Sequence, residues 1–423
     1  MSLVNYPNKI ENAIKWYKDP YAFLNRAQSK HGLTFTAALP GTGKLLITGE
    51  PRLIEEISSH KQIIGGKGVT LMRTLFGGES LMMLQGETHQ THRRLLTPPF
   101  HRRHIAQYDD LTVETTLDVL RTIPDNRSFS AFDIFRRITQ IVIVRIVFGK
   151  LPQAEETQAV ELIHSFMTSF QNPITLFLKP LQINLGQYSP WGRITQNRQG
   201  LRDFIRERIK SFSETSENPQ SLLAHLSRQN AMLEEDTITE IFATLMFGHD
   251  TTAVAAAWAM AHIYSHPNVL AHLQDDNEQD LVSGKSFIEA CINESMRLSP
   301  TVVQLLRTAN IDLTISGFNI KSGETIMPCP YLAHRNPKVF HQPEKYLPER
   351  FLEREYPTFS FFPFGLGNRL CVGKHLAQRQ MPLMISTIIK NTSLRLAPGY
   401  TPDPVRYMFF IAPRKGTLMV NTK

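Results

Sequence analysis

The sequence feature that most restricts the fold is a long apolar segment in the middle of the chain, residues 235–266. It reads EDTITEIFATLMFGHDTTAVAAAWAMAHIYSH, stops before Pro267, and is apolar on every face of a helix in its central part. Thr237 and Glu240 form a capping-box pattern near its start. Because such a helix has to be buried on all sides, the rest of the chain must fold around it.

A transmembrane helix is the alternative interpretation of this segment. Against it, Asp250 lies at the centre between His249 and Thr251, and a carboxylate at that depth would be costly in lipid. The sequence has no second segment of this kind, and its first residues contain no apolar run long enough for a signal peptide or an anchor. We therefore expect a soluble, cytoplasmic protein with no transmembrane anchor.

The patterning around this segment predicts a mainly α fold with small β-sheets. Residues 107–122, 131–148 and 196–213 carry apolar residues at helical spacing. Strands and turns are predicted around 40–43 and Gly317 and at 324–327, 407–412 and 417–420. The β-rich portions are then about 30–60, 300–330 and 405–421, and the α-rich portions about 86–300 and 331–395. If strands from both ends share a sheet, residues 1–423 form a single domain.

The amino-acid composition narrows the kind of site that the chain can carry. Its three cysteines, Cys291, Cys329 and Cys371, form no CxxC pair, which argues against a disulfide framework and a cysteine-rich zinc site. The formal net charge of +8 leaves nucleic acid, an anionic membrane surface and an acidic protein open as partners. A solvated surface without a partner explains the same charge equally well.

The most specific motif is the glycine-rich sequence FGLGNRLCVG at residues 364–373. A thiolate that binds iron needs a stiff loop with backbone N–H groups facing the sulfur, and glycines such as Gly365 let that loop pass close to a flat cofactor. Phe364 would shield the sulfur from water, and Arg369 could bind an anionic haem propionate. A following helix would favour the thiolate form of Cys371 through its dipole. The alternative is a buried structural cysteine in a glycine-rich turn.

This motif resembles the haem-binding signature of cytochrome P450 enzymes. That signature has a Phe, a Gly three residues later, a basic residue two before the Cys, and a Gly two after it. The resemblance implies that the cofactor is haem b, that Cys371 is its metal ligand, and that Phe364, Gly367, Arg369 and Gly373 belong to the haem-binding loop.

Two further motifs resemble the family elements that brace the haem loop. Glu294-Ser295-Met296-Arg297 resembles the ExxR helix, and Pro348-Glu349-Arg350-Phe351 resembles the PERF motif. Glu294 and Arg297 would share a helix face, and Arg350 would complete a buried carboxylate–guanidinium triad. A surface ion pair is the usual explanation of an ExxR sequence that stands alone.

Residues 247–252, FGHDTT, resemble the family's oxygen-activation stretch. Cleaving O2 requires two protons delivered in a dry pocket. Thr251 can hydrogen-bond to oxygen, Asp250 can relay protons, and Gly248 allows the helix to bulge. An ordinary core Thr pair beside a paired Asp is the alternative. The sequence departs from the family at Phe247, where a small residue is usual and a phenyl ring would narrow the pocket or tilt the helix.

The resemblance also implies haem-propionate ligands. His89 and Arg93 match the helix that binds one propionate, and Arg307 matches the Arg that binds the other. Zinc binding by His89 and His92 is an alternative that lacks nearby Cys or acidic ligands. Pro382, in the helix expected after Cys371, predicts that this helix kinks or ends early.

Over nearly the whole chain, the resemblance implies the cytochrome P450 fold, a triangular helical body with haem between the helix at 235–266 and the Cys371 loop. Within the family, the sequence is similar to soluble prokaryotic members, cyanobacterial ones included, that hydroxylate fatty acids, alkanes or terpenoids. We expect a haem-thiolate monooxygenase that inserts one oxygen atom of O2 into a lipophilic fatty acid, terpenoid or polyketide-like substrate. A haem-thiolate peroxygenase and a non-catalytic haem-based sensor are the competing functions.

The expected partners follow from what the sequence lacks. No motif indicates a flavin or nicotinamide domain, so the electron donors should be separate proteins. The resemblance implies that they are a ferredoxin or flavodoxin and its NAD(P)H-dependent reductase, and we expect the enzyme to be a monomer. Residues 89–104 contain four His, four Arg and no acid, and we expect them to dock an acidic donor rather than nucleic acid.

The expected substrate pocket is mostly apolar, although core packing explains each of its members equally well. It comprises Leu71, Met72, Leu75, Phe76, Phe170, Phe242, Met246, Phe247, Val302, Val303, Met408 and Phe409. Arg73 or Lys179 could anchor a substrate carboxylate. The apolar stretch 170–186 is expected to form a lid or a peripheral membrane contact.

Overall fold

The computed structural model describes residues 9–39, 43–66, 73, 75–76, 78–169, 181–212, 220–275 and 281–422. The α-helices span Lys9–Lys18, Pro20–His31, Pro51–Ser59, Gly86–Leu96, Arg102–Ile105, Asp109–Leu120, Ala131–Phe148, Gln153–Ser169, Pro190–Ser211, Leu222–Gln229, Glu234–Phe247, Asp250–Tyr264, Pro267–Asp275, Phe287–Leu298, Pro330–Ala333, Arg350–Glu353 and Lys374–Asn391. The strands span Thr34–Leu39, Gly43–Thr48, Ile63–Gly65, Ser128–Ser130, Arg307–Ala309, Leu313–Ile315, Phe318–Ile320, Thr325–Pro328, Leu394–Leu396, Pro404–Tyr407, Phe410–Pro413 and Leu418–Asn421. The predicted class, mainly α with small β-sheets, is confirmed.

Several helices begin where side chains satisfy their first backbone N–H groups. Ser130 accepts a hydrogen bond from the Asp133 N–H and starts the helix Ala131–Phe148. Ser286 and Glu289 form a reciprocal capping box at the start of Phe287–Leu298. These caps fix the beginnings of two helices that pack on the centre of the molecule.

The segment predicted as one helix over 235–266 is two helices, Glu234–Phe247 and Asp250–Tyr264, which we call the central helices. The break falls at Gly248, where a Cβ atom would lie 2.8 Å from Ile143 Cδ1 and 2.7 Å from Thr244 O. Close packing against the helix Ala131–Phe148 therefore requires glycine there. The prediction of a single helix over 235–266 was wrong, while the predicted departure from a regular helix at Gly248 coincides with the observed break.

The predicted capping box at the start of this segment was also wrong. The first central helix already begins at Glu234, and its N-cap residue Leu233 makes no side-chain cap. Glu240 instead lies at 1% exposure and bonds through its carboxylate to His92 Nδ1 at 2.7 Å. Glu240 therefore binds His92, which is distant in the sequence, and does not cap the end of its own helix.

Strands from distant parts of the chain share one five-stranded sheet. Its order is Thr34–Leu39, Gly43–Thr48, Thr325–Pro328, Arg307–Ala309 and Ile63–Gly65. The second of these strands pairs in parallel with Thr325–Pro328, with Leu46 opposite Ile326. The early part of the chain and the part after residue 300 are thus joined by backbone hydrogen bonds.

The end of the chain differs from the prediction of a strand over 407–412. Pro404–Tyr407 and Phe410–Pro413 form an antiparallel hairpin, and Tyr407 pairs with Phe410 across a turn. Met408, in that turn, has φ of +51°, which ends a strand. The prediction failed because a continuous apolar run conceals a tight turn when it contains no Gly, Asn or Asp.

The second central helix is buried along most of its length. It packs against the helices Ala131–Phe148 and Phe287–Leu298 and the strand Phe410–Pro413, and almost every residue between Thr252 and Ala261 is inaccessible to solvent. Among the described residues, no helix is long and apolar enough to cross a membrane.

Candidate functional site

The loop around Cys371 is held in shape by its own backbone. The Cys371 N–H donates to Phe364 O at 2.9 Å, and Gly365 N–H donates to Phe362 O at 3.0 Å. Gly365 and Gly367 have φ of +80° and +62°, a region that favours glycine. The two glycines therefore let residues 362–373, which we call the cysteine loop, fold back on themselves.

Cys371 differs from the other two cysteines in its surroundings. Cys291 and Cys329 are buried, and burial raises the pKa of the Cys329 thiol to about 12. Cys371 is also enclosed by protein, and this raises its pKa, but the Gly373 amide and the charge of Arg93 act in the opposite direction. Cys371 is nonetheless exposed to solvent. Its thiol is therefore surrounded by protein on most sides but can still be reached, and it lies next to groups that favour a thiolate.

The helix Lys374–Asn391 starts immediately after the cysteine loop, with Gly373 at its N-cap. Its N-terminus is thus two residues from Cys371, where the helix dipole favours negative charge. Pro382 lies inside this helix, which continues to Asn391. Of the two effects expected of Pro382, a kink or an early end, the early end was wrong.

Four cationic or basic side chains face one another beside the cysteine loop. We call His89, Arg93, Arg307 and Arg369 the cation cluster. Burial, then the charges of Arg369 and Arg93, lower the pKa of His89 to about 4. Burial and Arg369 lower the pKa of Arg307 to about 10, and burial and Arg93 lower that of Arg369 to about 10. Within the described part of the chain, no carboxylate contributes to the pKa shifts of these four side chains. The cluster is therefore suited to bind an anion from outside the chain.

Arg369 also ties the cysteine loop to the segment before the helix Gly86–Leu96. Its guanidinium donates to Leu81 O at 3.1 Å and Met82 O at 3.3 Å, and further to Leu84 O and Gln85 Oε1. The helix that carries His89 and Arg93 is thereby positioned relative to Cys371.

The structure brings Glu294, Arg297 and Arg350 together in the interior. Arg297 Nε donates to Glu294 Oε2 at 2.7 Å, and Arg350 Nε donates to Glu294 Oε1 at 3.2 Å. Glu294 and Arg297 are both at 0% exposure, so the surface-pair alternative does not apply. We call these three residues the buried triad.

The buried triad reaches the cysteine loop through a residue that the sequence motifs did not indicate, His334. Arg297 Nη1 donates to His334 O at 2.9 Å, and the His334 ring accepts a hydrogen bond from the Phe362 N–H at 3.0 Å. Burial, followed by the charges of Arg297 and Arg335, places the pKa of His334 well below its usual value, so its ring remains a neutral acceptor. Only the adjacent sequence HRNP could have drawn attention to it.

Near the break between them, the central helices expose one narrow stripe flanked by buried residues. Thr244, Phe247, Gly248 and Thr251 are partly accessible, whereas Asp250 and Thr252 on either side of Thr251 are buried. The spacing of three and four residues places the accessible ones on one helix face. The break at Gly248 and the Thr251 hydroxyl, which donates to Phe247 O at 3.0 Å, both lie on this stripe.

Asp250 points away from the stripe and is fully buried. Its Oδ2 atom accepts a hydrogen bond from the Tyr407 hydroxyl at 3.3 Å, and its Oδ1 atom lies 3.2 Å from Nε2 of His249. Burial and the negative charge of Asp250 raise the pKa of Tyr407. From the sequence, Tyr407 was predicted only as the start of a strand, and its contact with Asp250 was not predicted.

Most of the expected pocket residues are buried. The largest apolar cluster contains Leu75, Phe76, Phe242, Met246 and Met408, and Phe247 and Phe409 pack against it. Val303 lies in a separate cluster, and Val302 is half-buried. The Phe76 ring is 5.2 Å from that of Phe247 in an edge-to-face arrangement. Leu71, Met72, Phe170 and Lys179 lie outside the described residues. Arg73 is exposed and paired with Glu79.

The basic segment 89–104 borders an open surface depression of about 700 Å³. Its lining residues are Gln90, Arg93, Arg94, Thr97, Pro98, His101, Arg103 and His104. Arg93 therefore lines this depression and also lies within electrostatic range of Cys371. His92, considered as a zinc ligand with His89, is instead engaged by Glu240.

Comparison with known proteins decides the family, because the cytochrome P450 family model matches residues 10–420. The chain belongs to the cytochrome P450 family. A similar relative is a putative cytochrome P450 138 of Mycobacterium tuberculosis, 28% identical over 88% of this chain and 85% of that protein. A putative cytochrome P450 137 of the same species is 24% identical over 92% of this chain and 83% of its own length.

Solved cytochrome P450 structures share the fold. Retinoic acid-bound cyanobacterial CYP120A1 superposes with a TM-score of 0.83 at 19% identity, covering 97% of this chain and 96% of that one. The cytochrome P450DA heme domain superposes with a TM-score of 0.82 at 18% identity, covering 100% and 97%. As a cytochrome P450, the chain is a haem b-binding monooxygenase of the oxidoreductase class. An enclosed but accessible thiol and a cation cluster without its own carboxylate are a donor set that fits haem and its propionates.

Proposed function

We propose that this cytochrome P450 hydroxylates an elongated lipophilic molecule of the fatty-acid, terpenoid or polyketide type, with Cys371 as the haem ligand. The balanced reaction is RH + O2 + 2H⁺ + 2e⁻ → ROH + H2O. Bound haem supplies the activation of O2, and the protein supplies ligand, protons and substrate orientation. The accessible thiol of Cys371, between the Gly373 amide and Arg93, is the observation that carries this proposal.

The cation cluster is proposed to bind the two haem propionates. Burial first, and then the positive charges of Arg369 and Arg93, lower the pKa values of His89, Arg307 and Arg369, so burial and repulsion both disfavour the charged forms. Two carboxylates placed among them would relieve that repulsion through charge-assisted hydrogen bonds. Arg369 would serve both as a ligand and as the tether to Leu81 and Met82.

The residues proposed for oxygen activation are Gly248, Asp250 and Thr251. Thr251 lies on the accessible stripe, where its hydroxyl can orient oxygen and water. Asp250, directly behind it, is placed to hold a proton away from the substrate. The break at Gly248 widens the helix surface at the same level.

The proposed substrate chamber is bordered by aromatic rings. Phe76 contacts both Phe242 and Phe247, and Phe242 contacts Phe166 with ring centroids 5.0 Å apart. Rigid apolar walls of this kind suit a lipophilic chain or ring system. The fold similarity to the retinoic acid-bound cyanobacterial enzyme makes a terpenoid acid the first compound to test.

An acidic ferredoxin or flavodoxin is proposed as electron donor, docking over residues 89–104. Arg102 and Arg103 are exposed there, and no acidic residue interrupts the segment. Opposite charges would speed encounter with an acidic donor. We also propose a peripheral membrane contact at 181–188, since Leu181, Ile183, Leu185 and Tyr188 are exposed. Residues 1–423 are proposed to act as one domain.

The proposal is tested by screening terpenoid acids, fatty acids and polyketides for the low-to-high-spin shift of the ferric Soret band, followed by turnover with ferredoxin or flavodoxin and reductase. We expect a spin shift and hydroxylated product with at least one class. Equal turnover with peroxide alone would favour the peroxygenase. A spin shift without product, even with both donors, would favour a sensor.

A further inference from the structure

His249 and Asp250 place two buried acceptor atoms against each other. His249 Nε2 lies 3.2 Å from Asp250 Oδ1, and both side chains are at 0% exposure. The angle between them falls short of a formed hydrogen bond, and neither atom has another partner within the described residues. At 3.2 Å there is no room for a water molecule between them.

The other ring nitrogen fixes the tautomer of His249. Nδ1 lies 2.6 Å from Leu245 O, and a carbonyl oxygen can only accept, so the hydrogen sits on Nδ1. In a neutral ring, Nε2 would then present a lone pair to the Oδ1 lone pairs of Asp250. Two such acceptors at this distance repel each other in a medium of low dielectric constant unless a proton lies between them.

Other polar and titratable groups surround the pair. The Tyr407 hydroxyl donates to Asp250 Oδ2, and Arg136 contacts the same hydroxyl and also binds Asp133 at 2.8 Å. His164, on the helix Gln153–Ser169, lies within electrostatic range of Asp250, His249, Arg136 and Asp133. These are the charged and titratable groups that face the pair.

We propose that His249 and Asp250 share one transferable proton between Nε2 and Oδ1, and that this pair is a proton store behind Thr251. Because Nδ1 donates to Leu245 O and Oδ2 accepts from Tyr407, both outer contacts suit an imidazolium and a carboxylate. His249 is thus a positioning residue and reservoir that acts through Asp250.

The use of this store rests on the proposed monooxygenase function. The reaction takes up two protons and two electrons for each O2, and the electron donor supplies the electrons. The stored proton leaves Nε2, passes through the Asp250 carboxylate towards the Thr251 hydroxyl, and is replaced from solvent along the side that holds Tyr407 and Arg136. His249 ends each turnover with the proton count it had at the start.

The first test reads the proton itself and needs no substrate. Nitrogen-15 NMR of histidine-labelled holoenzyme, in the diamagnetic ferrous carbon monoxide form, would assign the His249 ring by comparison with His249→Gln. We expect a proton on or shared with Nε2 at neutral pH, and loss of that proton in Asp250→Asn. A bare Nε2 in the wild-type protein would overturn the proposal.

The second test asks whether the store is used. Gln can donate to Asp250 Oδ1 but cannot release a proton, so His249→Gln separates a structural role from a proton reservoir. Product per electron pair should fall on the order of tenfold, below the loss expected for removing an acid outright because Asp250 remains. His272→Gln, at an exposed position on the helix Pro267–Asp275 and outside the groups that face the pair, is the matched control and should keep the wild-type ratio.

The outcomes distinguish this proposal from the monooxygenase assignment. Wild-type coupling in His249→Gln would refute delivery from the store. If wild-type enzyme forms no product with any lipophile, the proposed function fails, while the nitrogen-15 spectrum still decides whether the proton is shared.

Discussion

Replacing Arg297 with Ala should destabilise the protein severely, because this guanidinium makes five hydrogen bonds in the interior. Two go to Glu294, and one each to the carbonyl oxygens of His334, Pro343 and Lys345. Removing it leaves three carbonyl groups without a charged donor and Glu294 with only Arg350 and the Leu347 N–H as partners.

The size of the effect follows from burial. Breaking a fully buried ion pair typically costs about 3–5 kcal/mol, because the remaining charge stays buried without its partner. A native protein has about 5–15 kcal/mol of stability in total. Arg297→Ala should therefore lose about a fifth of its stability or more. It should also release haem faster, because His334, which binds Phe362, loses its own contact with Arg297.

Arg121 offers a matched control in the same chain. It pairs with Asp118 at the same i, i+3 spacing, but the two side chains are 77% and 68% exposed. Arg121→Ala should change stability by less than about 1 kcal/mol. Urea unfolding followed by circular dichroism and by the Soret band measures both variants. If Arg297→Ala unfolds within about 1 kcal/mol of Arg121→Ala, the bracing role of the buried triad is wrong.

Three further perturbations test other parts of the site. In the folded haem-free chain, burial and neighbouring charges lower the pKa of His89 to about 4 from its ordinary value of 6.5. The unfolded state therefore binds more protons between these two pH values, and the free energy of unfolding should fall as pH falls through that window. In His89→Gln, the urea midpoint should fall less over the same window. Phe247→Ala should cost about 1 kcal/mol through its edge-to-face contact with Phe76 and should tighten binding of bulkier lipophiles on the order of tenfold in spin-shift titrations; unchanged affinities would mean that the ring does not border the chamber. Reversing Arg102 and Arg103 to Glu should slow reduction by an acidic donor roughly tenfold at low salt, with the difference vanishing at high salt; equal rates in stopped-flow reduction would refute docking at this surface.

The elements that short sequence patterns determine were predicted well. The helices Asp109–Leu120 and Ala131–Phe148 follow from apolar spacing, and the hairpin Leu313–Ile315 with Phe318–Ile320 follows from Gly317 at its turn. The cysteine loop was recognisable because its glycines are needed for backbone geometry, which the observed φ values of Gly365 and Gly367 show.

The features that depend on distant contacts could not be predicted in the same way. The close contact between Gly248 and Ile143 joins positions more than a hundred residues apart. His334 links the buried triad to Phe362, and Tyr407 reaches Asp250 across 157 positions. A single sequence contains no record of which distant side chains meet. Motif spacing therefore identified the proposed site residues but not the residues that contact and position them.

The central claim is that Cys371 binds the haem iron as a thiolate, and substitution at this position tests it most directly. We compare the ferrous carbon monoxide spectra of wild type, Cys371→Ser and the buried control Cys291→Ser, with circular dichroism to confirm folding. We expect the red-shifted Soret band of thiolate-ligated haem in the wild type and in Cys291→Ser, and its loss in a folded Cys371→Ser. A folded Cys371→Ser protein that keeps the thiolate spectrum would contradict it.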